Sequence, residues 1–327
     1  MKVAIVGAGL SGLAAARTLK ASGIEAVVFE SDTRVGGRIL TKTIGEYVFD
    51  AGATSVSPMG RSIEAVMLHE LSTTDLVRIE KPVSAHDGIR VVSGSVMGSK
   101  SPRYCYRQGL DQIAKLLQVG LDVRLGSAVE CVEPGNESEY RVNGQPFDAV
   151  VLSVPVPLAE KILARSRDRR RFSNARFRSC LSVLLGYDFE FDSPYHALVG
   201  PDQSLPLAWV SFESVKSPDR APPGHSSFVA QLSAEYSRRR FNSDDDLILE
   251  ETLGDMVRLL GKKFASPQVA NVVRFEFSHP ETTTAFESVN SQMSRLLIAG
   301  DGLLGGRTEL AYETGIRAAN LLIESPK

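Results

Sequence analysis

The sequence predicts an α/β fold. A Rossmann-like dinucleotide-binding domain is interleaved with an α+β substrate domain built on a mostly antiparallel sheet. Three observations carry this reading. The chain opens on a strand, a glycine-rich turn, a helix and a second strand, KVAIVGAGLSGLAAARTLKASGIEAVVFE. It closes on another strand–turn–helix, RLLIAGDGLLGGRTELAYETGIRAANLLIE. Between them, residues 179–290 read as alternating apolar strands around one helical stretch.

In the opening unit, KVAIVG is an apolar, β-branched run stopped by glycine, the pattern of a buried strand. Gly7, Gly9 and Gly12 then match GxGxxG. Gly7 permits the tight turn, Gly9 lets backbone approach a pyrophosphate, and Gly12 lets helix and strand pack closely. Ala8, Leu10 and Ser11 complete the turn, and the unpaired N–H groups of the helix behind them offer an anion site. That helix ends at Gly23. The second strand closes on Glu30, placed to accept hydrogen bonds from an adenosine ribose. VGGR follows, and its Arg38 adds a cation aimed at the same ligand.

Next, EYVFDAGATSVSP is a strand leading into small residues from Ala51 to Ser57, where backbone can approach a planar ligand at Gly52 and Ala53. Residues 61–71 have helical period, with Ile63, Val66, Met67 and Leu71 on one side and His69 at the surface. Short alternating runs from 76 to 108, IRVV and SVMG among them, read as a sheet excursion out of the first domain. It ends at Arg103, Tyr104, Tyr106, Arg107 and Gln108, a group that suits either a pocket wall or an edge strand. Two further strands and an Asn143-Gly144 hairpin lead to FDAVVLSVPVP, which rebuilds the central sheet. Beyond it, one helix near 246–262 lies among the strands, with Asp244 to Asp246 in its first turn. Trp209 and Phe212 are expected in the core. The expected dinucleotide-binding domain is therefore 1–75, 109–165 and 292–327, and the substrate domain 76–108 and 166–291.

Composition narrows the function. With 327 residues, 43% hydrophobic and a net charge of −2, the chain is that of an ordinary globular protein with no bias toward nucleic acid or an acidic membrane. The arginine-rich segment 165–178 has no aromatic platform or zinc motif beside it and reads as a solvated face. Three scattered cysteines make neither a disulfide framework nor a metal site. No stretch approaches a membrane span, and a strand starting at Lys2 leaves no leader ahead of it, so the cytoplasm is the expected compartment.

Why two glycine-rich turns? One long ligand spanning both explains them. The first turn would hold adenosine and pyrophosphate, and the second the rest of a flavin dinucleotide. Asp301 would accept from a ribityl hydroxyl, and the helix starting at about Thr308 would face the pyrimidine edge of the ring system. The expected cofactor is FAD.

GAGLSG with Glu30 and VGGR, the loop DAG at 50–52, FDAVVLSVPVP and IAGDGLLGGRTELAYETGIRAA together resemble the flavin amine oxidase and protoporphyrinogen oxidase superfamily. Within it, the local runs are most similar to the renalases. The resemblance implies a glutathione-reductase-type FAD domain, non-covalent FAD, and oxidation of a dihydro-NAD(P) isomer with oxygen as acceptor. By position it puts Leu10, Ser11, Glu30, Arg38, Ala53, Val129, Asp301, Arg307 and Thr308 on the flavin. It puts Thr54, Arg103, Tyr104, Gln108 and Arg307 near substrate. Two segments depart from the renalase pattern, Thr54-Ser55-Val56 and Val273-Arg274-Phe275, both on the substrate side.

A hydride leaving a dihydropyridine is driven by the ring nitrogen's lone pair, so no side chain is assigned as a catalytic acid or base. The expected partners are a small-molecule substrate and oxygen, with the chain a monomer or homodimer. Amine or porphyrinogen oxidation on the same flavin is the alternative, and the late strand VVRFEFSHP offers it Phe275 and Phe277 but no lysine. A non-catalytic flavoprotein module is the third reading, supported only by the arginine-rich segment.

Overall fold

The computed structural model describes residues 1–59, 61–92, 101–135, 140–164, 166, 170, 172, 175–202, 204–291 and 294–325. Most of the arginine-rich segment and SVMG at 95–98 lie outside the described residues.

Five parallel strands form the first sheet, in the order Leu296–Ile298, Ala149–Leu152, Lys2–Val6, Glu25–Phe29 and Asp122–Arg124. Lys2–Val6 is central, and Val3, Ala4 and Ile5 are wholly buried, which is why this strand reads as an unbroken apolar run. Both ends of the chain meet here. The strand at Ala149–Leu152 lies between the first and last strands, and the Ser153 hydroxyl just beyond it donates to the carbonyls of Val6 and Gly7. Gly7 has φ +102, and a Cβ on Gly12 would lie 2.0 Å from the Gly7 carbonyl oxygen. The first helix, Leu10–Ala21, crosses the last, Thr308–Glu324, where a Cβ on Gly315 would lie 2.0 Å from the Ser11 carbonyl oxygen.

The second sheet has seven strands, in the order Val269–Thr282, Arg176–Tyr187, Ser226–Leu232, Leu207–Phe212, Ala197–Val199, Val83–His86 and Val91–Val92. Every pairing is antiparallel except that of Ala197–Val199 with Val83–His86. Period-2 alternation sorts its faces. Leu181, Val183 and Leu185 enter a core closed by Ile248, Met256 and Phe264, whereas Leu184 turns to the opposite face. There it packs with Val229, Val273, Tyr47, Phe49 and Ala51, joining this sheet to the hairpin Thr41–Ile44 and Tyr47–Asp50.

Two elements differ from expectation. Besides Asp245–Leu260, a second helix runs over Ala234–Arg240, although only one helix, near 246–262, is expected from sequence. Ser233 caps it by accepting from the Tyr236 N–H, and Arg238 to Arg240 fall in its last turn, where the helix dipole favours cations. Of the 76–108 excursion, Val83–His86 and Val91–Val92 join the large sheet. Leu76–Ile79 and Arg103–Tyr106 instead pair with each other, and Ile79, Cys105 and Tyr106 pack into the first core. The Asn143-Gly144 hairpin forms, with φ of +46 and +75 at its two turn residues.

Gly315→Ala places a methyl group against the Ser11 carbonyl and should lower stability by about 1–3 kcal/mol in chemical denaturation. Gly254→Ala, on a helix where a Cβ meets nothing within 4 Å, should hold or raise it in the same assay.

Candidate active site

A cavity of about 1260 Å³ lies where the two glycine-rich turns face the large sheet. It exceeds the roughly 300–1,000 Å³ of an ordinary small-ligand pocket, so it suits a long ligand or two ligands together. Gly7, Gly9, Leu10 and Ser11 line one end, with Glu30 and Val129. Arg38, Gly52 and Ala53 follow, and Asp301, Arg307 and Thr308 bring the second turn to the same wall. Thr54 and Arg103 also face the cavity.

Four expected residues do not line it. Ala8 and Gly12 stand behind the first turn, Ala8 donating its N–H to Glu30 Oε2 at 2.7 Å and Gly12 packed on Gly7. Tyr104 is half-buried against the first core, and its backbone pairs with Val56. Gln108 is exposed in the turn after that strand. Strand alternation explains the split, because Arg103 and Tyr104 point to opposite faces and Gln108 lies past the strand's end.

The cavity fits an extended dinucleotide. A Cβ on Gly9 would meet nothing within 4 Å, so backbone there is open to a ligand. The first helix begins without a side-chain cap, and so does the last helix at Arg307. Two uncapped helix N-termini thus belong to one cavity, each with N–H groups suited to negative charge.

Two polar details differ from the simplest expectation. Glu30 uses Oε2 on Ala8 N–H and Oε1 on Asp32 N–H and the Ser31 hydroxyl, so the carboxylate first holds its own turn. Arg38 and Asp301, expected on separate parts of the cofactor, pair with each other. Nη1 donates to Oδ2 at 2.7 Å, Nη2 to Oδ1 at 2.6 Å, and Nη1 also to the Ser278 carbonyl. A planar guanidinium and a carboxylate facing across one cavity favour this two-pronged geometry.

Behind the DAG loop lies a group of charges with no counterpart in the sequence reading. The side chains of Asp50, Glu213, Lys216 and Arg220 are all 0% exposed. Asp50 Oδ2 accepts from Arg220 at 2.6 Å and from Lys216 at 3.2 Å, and Oδ1 accepts from Leu110 N–H and Thr41. Glu213 accepts from Lys216, Arg220, Ser211 and the Asp50 N–H. Lys216 also donates to the Thr54 carbonyl at 2.7 Å, which ties the quartet to the cavity wall. Burial alone would raise the Asp50 carboxyl; Arg220 and Lys216 outweigh it and hold the group below its ordinary range. The visible signal is ESVKSPDR, acids and bases at helical spacing beside apolar strands.

Several wall residues were not anticipated. Trp209 lines the cavity, although the core was expected to take it, and its Nε1 is buried without a partner among the described residues. A register shift between Leu207 and Trp209 breaks the alternation, so Ala208 and Trp209 both reach the wall. A similar irregularity between Arg178 and Cys180 exposes both of them to the cavity. Phe212 is buried in the core as expected. Lys161, on the helix Val156–Ala164 at the spacing of Pro155, Leu158 and Ile162, supplies a wall lysine that the late strand lacks. Among the described residues no group of His, Cys, Asp or Glu is placed to hold a metal ion, and no helix is long and apolar enough to cross a membrane.

Comparison with known proteins follows the same lines. Residues 5–70 match the NAD(P)-binding Rossmann-like domain, and residues 84–323 match flavin containing amine oxidoreductase. The chain belongs to that amine oxidoreductase family. It is a flavin-dependent oxidoreductase of the amine oxidase family. Putrescine oxidase with bound putrescine has the same fold, with TM-score 0.77 and 17% identity over 99% of each chain. Cyclohexylamine oxidase from Brevibacterium oxydans gives TM-score 0.78 and 14% identity over 99% of this chain and 98% of that one. Protoporphyrinogen oxidase 2 of Arabidopsis thaliana is 46% identical over 56 residues, 17% of this chain and 11% of the relative. FLOWERING LOCUS D of the same plant is 35% identical over 137 residues, 39% of this chain and 17% of its own length. These curated relatives are thus matched over a small part of their length.

Asp50→Asn leaves Arg220 and Lys216 buried with one carboxylate between them. Loss of a buried partner of this kind costs about 3–5 kcal/mol. The variant should show a correspondingly lower denaturation midpoint and weaker flavin retention on dialysis, because Lys216 and Asp50 hold the loop at Thr54.

Proposed function

We propose that this flavoprotein oxidises a small, negatively charged reduced ligand, a dihydro-NAD(P) isomer, and returns the electrons to oxygen. The observation that supports the reading best is the charge on the cavity wall. Its carboxylates are already engaged. Asp301 is paired with Arg38, Glu309 with Arg307, and Glu30 with backbone N–H groups, while Glu130, exposed on the same wall beside Val129, has a partner of its own. A cationic amine would find no open carboxylate among them. Cations line the cavity as well: Arg103, Arg178 and Lys161. Burial lowers the Arg103 pKa and the nearby Arg307 charge lowers it further, with Glu309 opposing both.

When bound, FAD supplies the two-electron acceptor for this oxidation. The chain's own part is to bind, orient and exclude water. His279 lines the wall with its ring against Gly306, and burial, reinforced by Arg178, lowers its pKa and keeps it neutral at pH 7. It is poorly suited to act as a cationic acid. Cys180 is the cysteine on the wall, and burial pushes its thiol up to about 11. A protonated thiol is a poor nucleophile, which favours a non-covalent cofactor.

Amine oxidation is the second reading. Trp209 and Phe275 on the wall favour it, since aromatic faces attract cations, and Lys161 removes the objection that the site lacks a lysine.

Anaerobic mixing separates the two. Dihydro-NAD(P) isomers should bleach the flavin, and putrescine and primary monoamines should leave it oxidised; the reverse result overturns the proposal. His279→Gln should keep flavin reduction within about tenfold of the parent, short of the ~10²–10⁴ typical of a general acid–base residue. Stopped-flow reduction rates decide that point.

A further inference from the structure

Arg178 is the cavity cation with the least explained surroundings. It lies near the start of the strand Arg176–Tyr187, half-buried, and its side chain has no hydrogen bond or ion pair among the described residues. Arg38 and Arg307, by contrast, each hold a carboxylate. Its cross-strand partner is His279, so the two side chains share a face, and Cys180 lies next to it on the wall. Neither neighbour brings a negative charge. Lys161 approaches the same region from the helix Val156–Ala164, its Nζ 5.8 Å from the centre of the Phe277 ring. Phe277 in turn meets Phe177, the residue before Arg178, edge to face at 6.4 Å. The exposed Lys161 side chain likewise has no ion pair or hydrogen bond among the described residues. A half-buried guanidinium whose donors meet no acceptor among the described residues is suited to an anionic ligand, and a phosphate matches its fork in two places.

We propose that Arg178, supported by Lys161, forms a subsite for the phosphate of the substrate. The proposal rests on the substrate reading above and adds which end of the ligand is gripped, and by what. The cofactor's own pyrophosphate is better served elsewhere, at the open Gly9 backbone and uncapped helix of the other sheet. Arg178 and Lys161 therefore determine specificity, setting how strongly the enzyme prefers a phosphorylated dihydronicotinamide over its dephosphorylated counterpart.

The test compares kcat/KM for dihydro isomers of nicotinamide mononucleotide and of nicotinamide riboside, using FAD-loaded protein. The parent should prefer the mononucleotide at least tenfold. Arg178→Met should reduce that preference by about 10- to 100-fold, the range set by a hydrogen bond to a charged group, mainly through KM. Arg178→Lys should restore part of it. A preference unchanged in a folded, FAD-loaded Arg178→Met variant overturns the proposal, as does loss of FAD from that variant, which would assign the guanidinium to the cofactor. Calorimetry with inorganic pyrophosphate on the FAD-loaded protein gives a readout independent of turnover. Binding that weakens at least tenfold in Arg178→Met supports the subsite, and equal binding in both proteins or none in the parent overturns it. If neither dihydronicotinamide bleaches the flavin while pyrophosphate binding depends on Arg178, the substrate reading fails and the anion subsite stands.

Discussion

Asp50 can be buried only because Arg220 and Lys216 reach it from the large sheet's side of the molecule. Each ion taken out of water costs several kcal/mol, and mutual attraction offsets this only when the remaining lone pairs and protons are also satisfied. Here two acids face two bases, and Leu110, Thr41, Ser211, Thr54 and Tyr106 take up most of the remaining valences. Asp50 comes from the N-terminal hairpin and its partners from the segment after Leu207–Phe212. Neither side satisfies its charges alone. Docking of the hairpin on the large sheet and the shape of the loop at Gly52 to Thr54 are therefore one event, and that loop is a wall of the cavity.

Close backbone approach does for the parallel sheet what charge does for the junction. Gly12 lies against Gly7, and Gly315 against Ser11, while Ser153 stitches the middle strand to the first turn. The first and last helices can thus bring their N-termini to one cavity although nearly three hundred residues separate them in sequence. A ligand long enough to touch both would bind the two ends of the chain together.

The elements that could be read from sequence were those whose cause is local. GxGxxG, the Asn143-Gly144 turn and the unbroken apolar strands each depend on a few neighbouring residues, and each appears where the pattern places it. What escaped was set by distant partners or by small irregularities. The quartet joins residues more than 160 positions apart. Trp209 faces the cavity because of a register shift that alternation cannot show. The helix at Ala234–Arg240 was hidden by its arginines, which look like surface charge until Ser233 is recognised as a cap. Arg103 reached the wall while Tyr104 did not, because a strand's odd and even residues part company. Pairing of Arg38 with Asp301 joined two residues that the sequence presents 263 positions apart.

Trp209 is the chain's single tryptophan, and it stands in the wall of the cavity. Indole emission overlaps the near-ultraviolet absorption of an oxidised isoalloxazine, so excitation of this one side chain passes efficiently to a flavin held nearby. The protein carries its own optical gauge of cofactor occupancy, with no background from a second indole. Quenched emission would mark the flavin-loaded form.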